Sequence, residues 1–514
     1  MSNSWSRKGS LRPQRMAAST GGRIEQPSRL TTSAPDSLKP TRPELAILLI
    51  SLMFGLAVYL IAPDSHLLAN TVLPISLMIA MAYGSYIMTT RRVATILTPI
   101  FAFRVAILFY GGFGSLVPIF ANDAELASMF SFYAFSDYDL LKYNIVILLF
   151  TCTFVVCGPV AHSFSEKIMQ KAQVSRFKFV EKSNLSMFVI GLALFGLGTV
   201  INIVFIIPFQ FGFSSTTFPL ALFLIASSAQ IGLFLMIVWS YRNRPALLPA
   251  IIGAGFVYII IGILTFSKTD AILPLIMIVS ALIYVRPNLR TLTIGALLIV
   301  FVFQALQPVT AFGRHRLAQT YGSISAPAGP TERLRIVRDY FDAPSEEYET
   351  DVNYALLRFS YVNVGTLVIN RYDIGQPGNS YEYAFALLIP RIIWPDKPSL
   401  TEGARTLNFE ATGNDQSSVT SGLAPEGYWN GGWIGVVLAG LLASIIFWPW
   451  SLYALRVQEV GAWHLFPVIL VGIRAGTRFD GWFVVDVLGP LLFAVVGHFI
   501  LTFANRLLSR ARGG

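Results

Sequence analysis

Apolar runs long enough to cross a bilayer as a helix, about 20 residues each, recur along this chain. They begin near Glu44, His66, Val93, Leu141, Leu185, Phe218, Ala246, Ala271, Thr291, Gly431, Trp463 and Val484. The eighth (about 271–285) and eleventh (about 463–474) are short, which predicts tilted, broken or partly inserted segments. The pattern predicts an all-α polytopic membrane protein with about twelve transmembrane helices, nine within 44–310 and three within 431–505. Between them lies a large loop, 311–430.

The polar positions between the runs orient the array. With the N-terminus placed inside, one set of loops holds Arg91 and Arg92, the 162–184 segment, Arg242 and Arg244, Arg286 and Arg290, and Arg456. The opposite set holds Asp64, Asp123, Glu125, Asp137, Asp139 and the uncharged 208–217 stretch. Basic loops stay in the cytoplasm, so both termini are expected there. Residues 1–43 carry eight basic and two acidic side chains and no apolar run. They read as a disordered basic cytoplasmic tail touching anionic lipid, and Arg506, Arg510 and Arg512 make 506–514 a second basic tail.

Composition agrees with lipid as the main solvent. Hydrophobic residues make up 54% and charged residues 13%, against roughly a quarter charged in soluble domains; the mean hydropathy is +0.61. The net charge of +10 is spent on tails and loops, so nucleic acid is not the expected partner. Cys152 and Cys157 sit in one apolar run on different helical faces and cannot bridge. His66, His162, His315, His464 and His498 are scattered, so neither a metal site nor a cofactor is expected.

The large loop has patterned apolar positions. Over 331–342 Leu334, Val337 and Phe341 share a helical face, with Arg333, Arg335 and Arg338 outside it. Residues 353–370, with Arg358 and Asn363, predict an interfacial or re-entrant helix, and 381–389 a helix stopped by Pro390.

Two stretches carry candidate chemistry. In Pro390-Arg391-Ile392-Ile393-Trp394-Pro395-Asp396-Lys397-Pro398, prolines stiffen a charged turn at the membrane edge. Its basic groups could equally meet lipid phosphate. From Glu426 to Gly435, Glu426 and Asn430 share a face if a helix begins there, and a carboxylate at a membrane surface can accept a proton from a hydroxyl; a capping acid with an aromatic belt is the plainer alternative. Arg104 lies inside the third run, where an ionisable group defaults to function unless it snorkels or pairs with an acid. Arg314 and Arg316 end the ninth run. Arg474, Arg478 and Asp480 link the last two, and Asp486 lies just inside the twelfth. Arginines at the end where basic residues are usually depleted call for an anion, either lipid phosphate or a pyrophosphate substrate.

The PR-x-x-WPDKP run at 390–398, the E-x-Y-x-N-x-G-x-x-G pattern of 426–435 and the long outer loop resemble the bacterial oligosaccharide repeat-unit polymerases, the O-antigen or Wzy-type polymerases. The motif likeness covers 390–435, and the likeness in topology runs from about residue 44. The resemblance implies a GT-C-like, metal-independent glycosyltransferase that joins glycan repeat units carried on undecaprenyl pyrophosphate at the outer face of the inner membrane. A chain-length regulator and a flippase are the implied partners. Fixed arginines can stabilise a pyrophosphate leaving group: Arg391, Lys397, Arg474 and Arg478 first, then Arg314, Arg316 and Arg405. Glu426 is the expected base with Asp396 second, and Trp394, Tyr428, Trp429 and Asn430 line the sugar or the belt. An O-antigen ligase shares the topology. A secondary transporter or flippase for a lipid-linked glycan would instead concentrate polar groups at midplane in two matching halves.

Overall fold

The computed structural model describes residues 36–61, 66–130, 133–171, 184–213, 220–286, 289–321, 327–342, 357, 359–389, 393–394, 396, 400–412 and 419–511. Every regular element among them is helical. Nine helices are long and apolar enough to cross a membrane: Arg42–Ile61 (α1), His66–Arg91 (α2), Pro99–Phe120 (α3), Asp137–Lys167 (in α4), Met187–Gln210 (α5), Pro245–Leu264 (α7), Thr293–Tyr321 (in α9), Leu423–Glu459 (α14) and Phe483–Phe503 (in α16). Three expected runs give shorter helices: Ser228–Asn243 (α6), Lys268–Val285 (α8) and Phe466–Gly476 (α15). The polytopic reading thus stands, with nine qualifying helices among the described residues in place of twelve.

Burial separates the helices by environment. α3 and α4 are two-thirds buried and α14 half buried, whereas α5, α7, α9 and α16 keep about four-fifths of their apolar windows outward. Apolar surface left open on that scale needs lipid around it. α6 is the inverse case. Ser228 through Ser240 are all buried, as a helix apolar on every side requires.

The helix ends form two chemically distinct faces. At one, Arg92 pairs with Glu459 at 2.6 Å, Arg91 donates to the Lys39 carbonyl at 2.8 Å, and Arg242 and Arg286 lie over Tyr284 and Tyr241. This is the basic end. Ser37 and Leu38 are buried against it, so the last residues of the expected disordered tail are packed; 1–35 lie outside the described residues. At the C-terminus the helix continues to Ala511, through Arg506 and Arg510 of the expected tail.

The opposite, loop end carries the described residues between 327 and 422. Asn70 donates to the Asp137 carbonyl at 2.9 Å and Gln210 to Asp270 at 2.6 Å, tying helix ends together there. Above them lie Pro330–Asp342 (α10), Val362–Asp373 (α11), Tyr383–Leu388 (α12) and Leu400–Thr412 (α13). Of the expected 353–370 helix, the described part is α11 from Val362; 353–356 and Arg358 lie outside the described residues. The 381–389 helix is realised as α12 behind a short 3-10 turn.

α10 corrects the expected stripe. Its core side is Arg333 and Ile336, with Val337 and Tyr340 half-buried, while Leu334 and Phe341 are 58% and 72% exposed. Arg333 donates to the carbonyls of Ala328, Leu264 and Gln210 at 3.1–3.2 Å and lies over Phe211 and Phe266. Two of these carbonyls, Leu264 and Gln210, end helices, where backbone acceptors are orphaned, and with the Ala328 carbonyl they compensate the buried guanidinium. At 100° per residue, α10 has three sectors: a core side around Arg333, an apolar flank at Leu334 and Phe341, and a polar back at Arg335, Asp339 and Asp342.

Candidate functional site

The site is built where the α15–α16 link meets the start of α14. α14 is helical from Leu423, earlier than the Gly431 start expected from hydropathy. It breaks at Gly431–Gly432, where Gly432 has φ +58° and lies against Tyr372. A Cβ on Gly435 would fall 2.0 Å from the Gly427 carbonyl oxygen, so the two turns beside the break touch backbone to backbone. The glycine pattern that carries the family resemblance is therefore also what the local packing requires.

Glu426 occupies the first turn of α14 and is fully buried. Ser380 Oγ donates to its Oε1 at 2.6 Å and the Phe483 amide to its Oε2 at 2.7 Å. Asn430 does share its face: the Asn430 amide donates to Ser380 Oγ and to the Glu426 carbonyl, each at 2.8 Å. The network joins α14, the 380 turn and α16. Neither carboxylate oxygen reaches solvent, so Glu426 in this arrangement has no open path to an acceptor hydroxyl.

The groups open to a ligand lie one layer outward. Arg478 Nε donates to Asp486 Oδ1 at 3.0 Å, and its Nη1 lies 3.3 Å from Asp480 Oδ2. Its side chain is 42% exposed, against 19% for Asp486 and 4% for Asp480. Burial disfavours the Arg478 charge, but Asp486 and Asp480 outweigh it, so its pKa rises above the usual guanidinium value. Burial pushes the Asp480 carboxyl up, against the pull of Arg478 and the Tyr361 hydroxyl; Tyr361 donates to Asp480 Oδ2 at 3.0 Å. Arg474, in the last turn of α15, is exposed, feels the charges of Arg478, Asp486 and Asp270, and has no ion-pair partner among the described residues.

Aromatic rings lie beside the Arg478–Asp480 pair. Tyr110 meets Tyr361 edge-on at 5.6 Å, and Phe359 lies 6.0 Å from Tyr110. Tyr110 belongs to a π-helical stretch, Ile107–Phe113, and Asp486 to another, Phe483–Leu488. Such stretches gather at functional sites. Sequence reasoning missed Tyr110, Tyr361 and Ser380, since isolated aromatics and serines carry no periodic signal; Gly111-Gly112 was the one local hint.

The remaining expected residues are dispersed. Arg314 Nε donates to the Phe266 carbonyl at 3.0 Å, and Arg316 lies over Phe312, so both are engaged beside α10. Arg405 is exposed on α13, which packs against Trp482 through Ala404 and Leu407. Trp394 and Asp396 are exposed. Arg391 and Lys397 lie outside the described residues. Tyr428 donates to Asp373 at 2.9 Å, on the other side of α14. Arg104 pairs with Glu44 at 2.5 Å, both buried, so of the two readings of that arginine the paired one holds.

No family model, no curated protein and no solved structure matches this chain.

Proposed function

We propose that this protein is a GT-C-like membrane glycosyltransferase that polymerises oligosaccharide repeat units carried on undecaprenyl pyrophosphate. In this reading the twelve helical segments all cross the inner membrane, both termini are cytoplasmic, and the loop end faces outward. One observation carries it: Arg474 and Arg478, both open, stand together at the loop end with Asp486 between α15 and α16. Two fixed guanidinium groups suit a pyrophosphate whose charge grows as its bond to the anomeric carbon breaks.

The acceptor hydroxyl oxygen attacks the anomeric carbon, the bond to pyrophosphate breaks, and the hydroxyl proton passes to a carboxylate. Asp486 is the carboxylate beside the arginines with access to solvent, so it takes that role here. Glu426 stands behind it as the group that fixes Ser380 and the α16 terminus. The lipid tail would lie against the outward apolar faces, with a flippase supplying the units and a chain-length regulator limiting them.

The test is complementation of a strain lacking this protein, with glycan length read on a gel at matched membrane abundance. Wild type should restore a ladder; Arg474→Ala and Asp486→Asn should leave single repeat units. A ladder undiminished in both variants would remove this site, and glycan absent altogether from the null strain would point to export or ligation.

A further inference from the structure

Tyr428 lies two residues after Glu426, about 200° around the helix, and faces a separate cluster at the loop end. It is built from the end of α1 (Tyr59), the start of α4 (Tyr138, Lys142), the end of α11 (Asp373) and α14 (Tyr428, Trp433). The Tyr59 and Tyr138 rings stack at 5.0 Å and 20°, and Trp433 stands edge-on to Tyr428 at 5.1 Å and to Tyr59 at 6.4 Å. The Tyr59 hydroxyl lies within the field of Asp373. Lys142 donates to Asp373 Oδ2 and sits 4.9 Å from the Tyr428 ring centroid. Two members open outward: Tyr138 is 42% exposed and the Asp373 side chain 36%.

We infer that this cluster is a saccharide-binding site, distinct from the arginine pair. Pyranose rings present apolar C–H faces and a rim of hydroxyls. Flat aromatic faces meet the first, and a carboxylate with phenolic hydroxyls meets the second. The Lys142–Asp373 pair cancels in charge, so the site favours a neutral or weakly charged glycan where the arginine pair favours an anion. Rings of a simple interfacial belt point singly toward lipid; here they close around an ion pair. The inference needs a sugar ligand only, and holds whether or not the protein transfers glycosyl groups.

The experiment uses the full chain in nanodiscs. Surface glycans of the producing cells, cleaved by mild acid to short oligosaccharides and labelled with 2-aminobenzamide, serve as the probe, and retained fluorescence is read. Wild type should retain label, and Tyr138→Ala and Asp373→Asn should each lose about tenfold or more, while Arg474→Ala retains it. Tyr138 is exposed, so its truncation spares the fold, and an unchanged melting temperature certifies this. No retention by wild type, equal retention by both site variants, or loss in Arg474→Ala would each overturn the assignment. Retention without glycan elongation would instead remove only the polymerase reading.

Discussion

Glu426 and Asp486 accept hydrogen bonds from consecutive backbone amides, Glu426 from Phe483 and Asp486 from Trp482, at 2.7 and 2.9 Å. Two acids from different helices thus cap the same terminus, where unpaired amides and the helix dipole favour negative charge. They differ in what lies on their far sides. Glu426 faces a buried serine, Asp486 an exposed arginine.

That difference separates an organising carboxylate from a reacting one. Glu426→Ala leaves the Ser380 hydroxyl proton and the Phe483 amide without an acceptor, costing about 1–3 kcal/mol each, and should lower the melting temperature and membrane abundance. Glu426→Gln keeps an acceptor for the Phe483 amide, and the Ser380 hydroxyl can turn to accept from the new amide. It should therefore retain most activity in the glycan-ladder assay. A stable but inactive Glu426→Gln protein would restore Glu426 as the base.

Arg474 and Arg478 should fail in different ways. Arg474→Ala removes an unpaired, exposed cation, so stability should hold while affinity for inorganic pyrophosphate falls on the order of ten- to a hundredfold, the worth of a charge-assisted contact. Arg478→Ala also strands Asp480 and Asp486, so it should lose stability as well. Titration calorimetry beside thermal melts reads both.

The pH dependence follows from Asp480, whose carboxyl is raised by burial. A raised folded-state pKa means that the folded protein holds its proton more tightly than the unfolded chain. Stability from this group is therefore lost as pH rises from the ordinary carboxylate range, about 4, through the raised value. The melting temperature of wild type relative to Asp480→Asn should fall across that window. A flat difference would show that the carboxyl is not perturbed.

The three sectors of α10 make a labelling prediction. Cysteines at Leu334 and Phe341 should resist a membrane-impermeant maleimide in nanodiscs, because an in-plane helix buries that flank among acyl chains. Cysteines at Arg335 and Asp339 should react. Equal labelling at all four positions would lift α10 off the bilayer.

Gly435 offers a stability test. Gly435→Ala sets a methyl against the Gly427 carbonyl, with no flexible side chain to yield, so abundance should drop sharply; Gly253→Ala, where the same methyl meets open space, should be silent.

Hydropathy located the helices well because lipid selects on composition over long windows, and α1, α2 and α5 needed nothing more. It misplaced the start of α14, since Leu423–Asn430 carries Glu426 and Asn430 among its buried apolar residues, and bonds from Asn430 to Ser380 and from Trp429 to Gln376 help to fix that turn. The α10 stripe failed for a related reason. In water an apolar face points to the core, whereas beside lipid Arg333 can take the core side and Leu334 the outside. Arg474, Arg478, Asp480 and Asp486 were legible as a group because they are neighbours in sequence. The cluster of Tyr59, Lys142, Asp373 and Trp433 was not, because its members come from four distant segments.

α6 carries a consequence for biogenesis. Phe234 stacks on Phe466 at 4.7 Å and 14°, and Phe466 emerges from the ribosome long after α6 has been made. α5, α7 and α8 shelter most of it soon after synthesis, but the patch around Phe234 stays incomplete until the last tenth of the chain arrives. A transcript cut short before Phe466 should yield a product that insertion machinery holds open and quality-control proteases remove, however well its earlier helices have entered the bilayer.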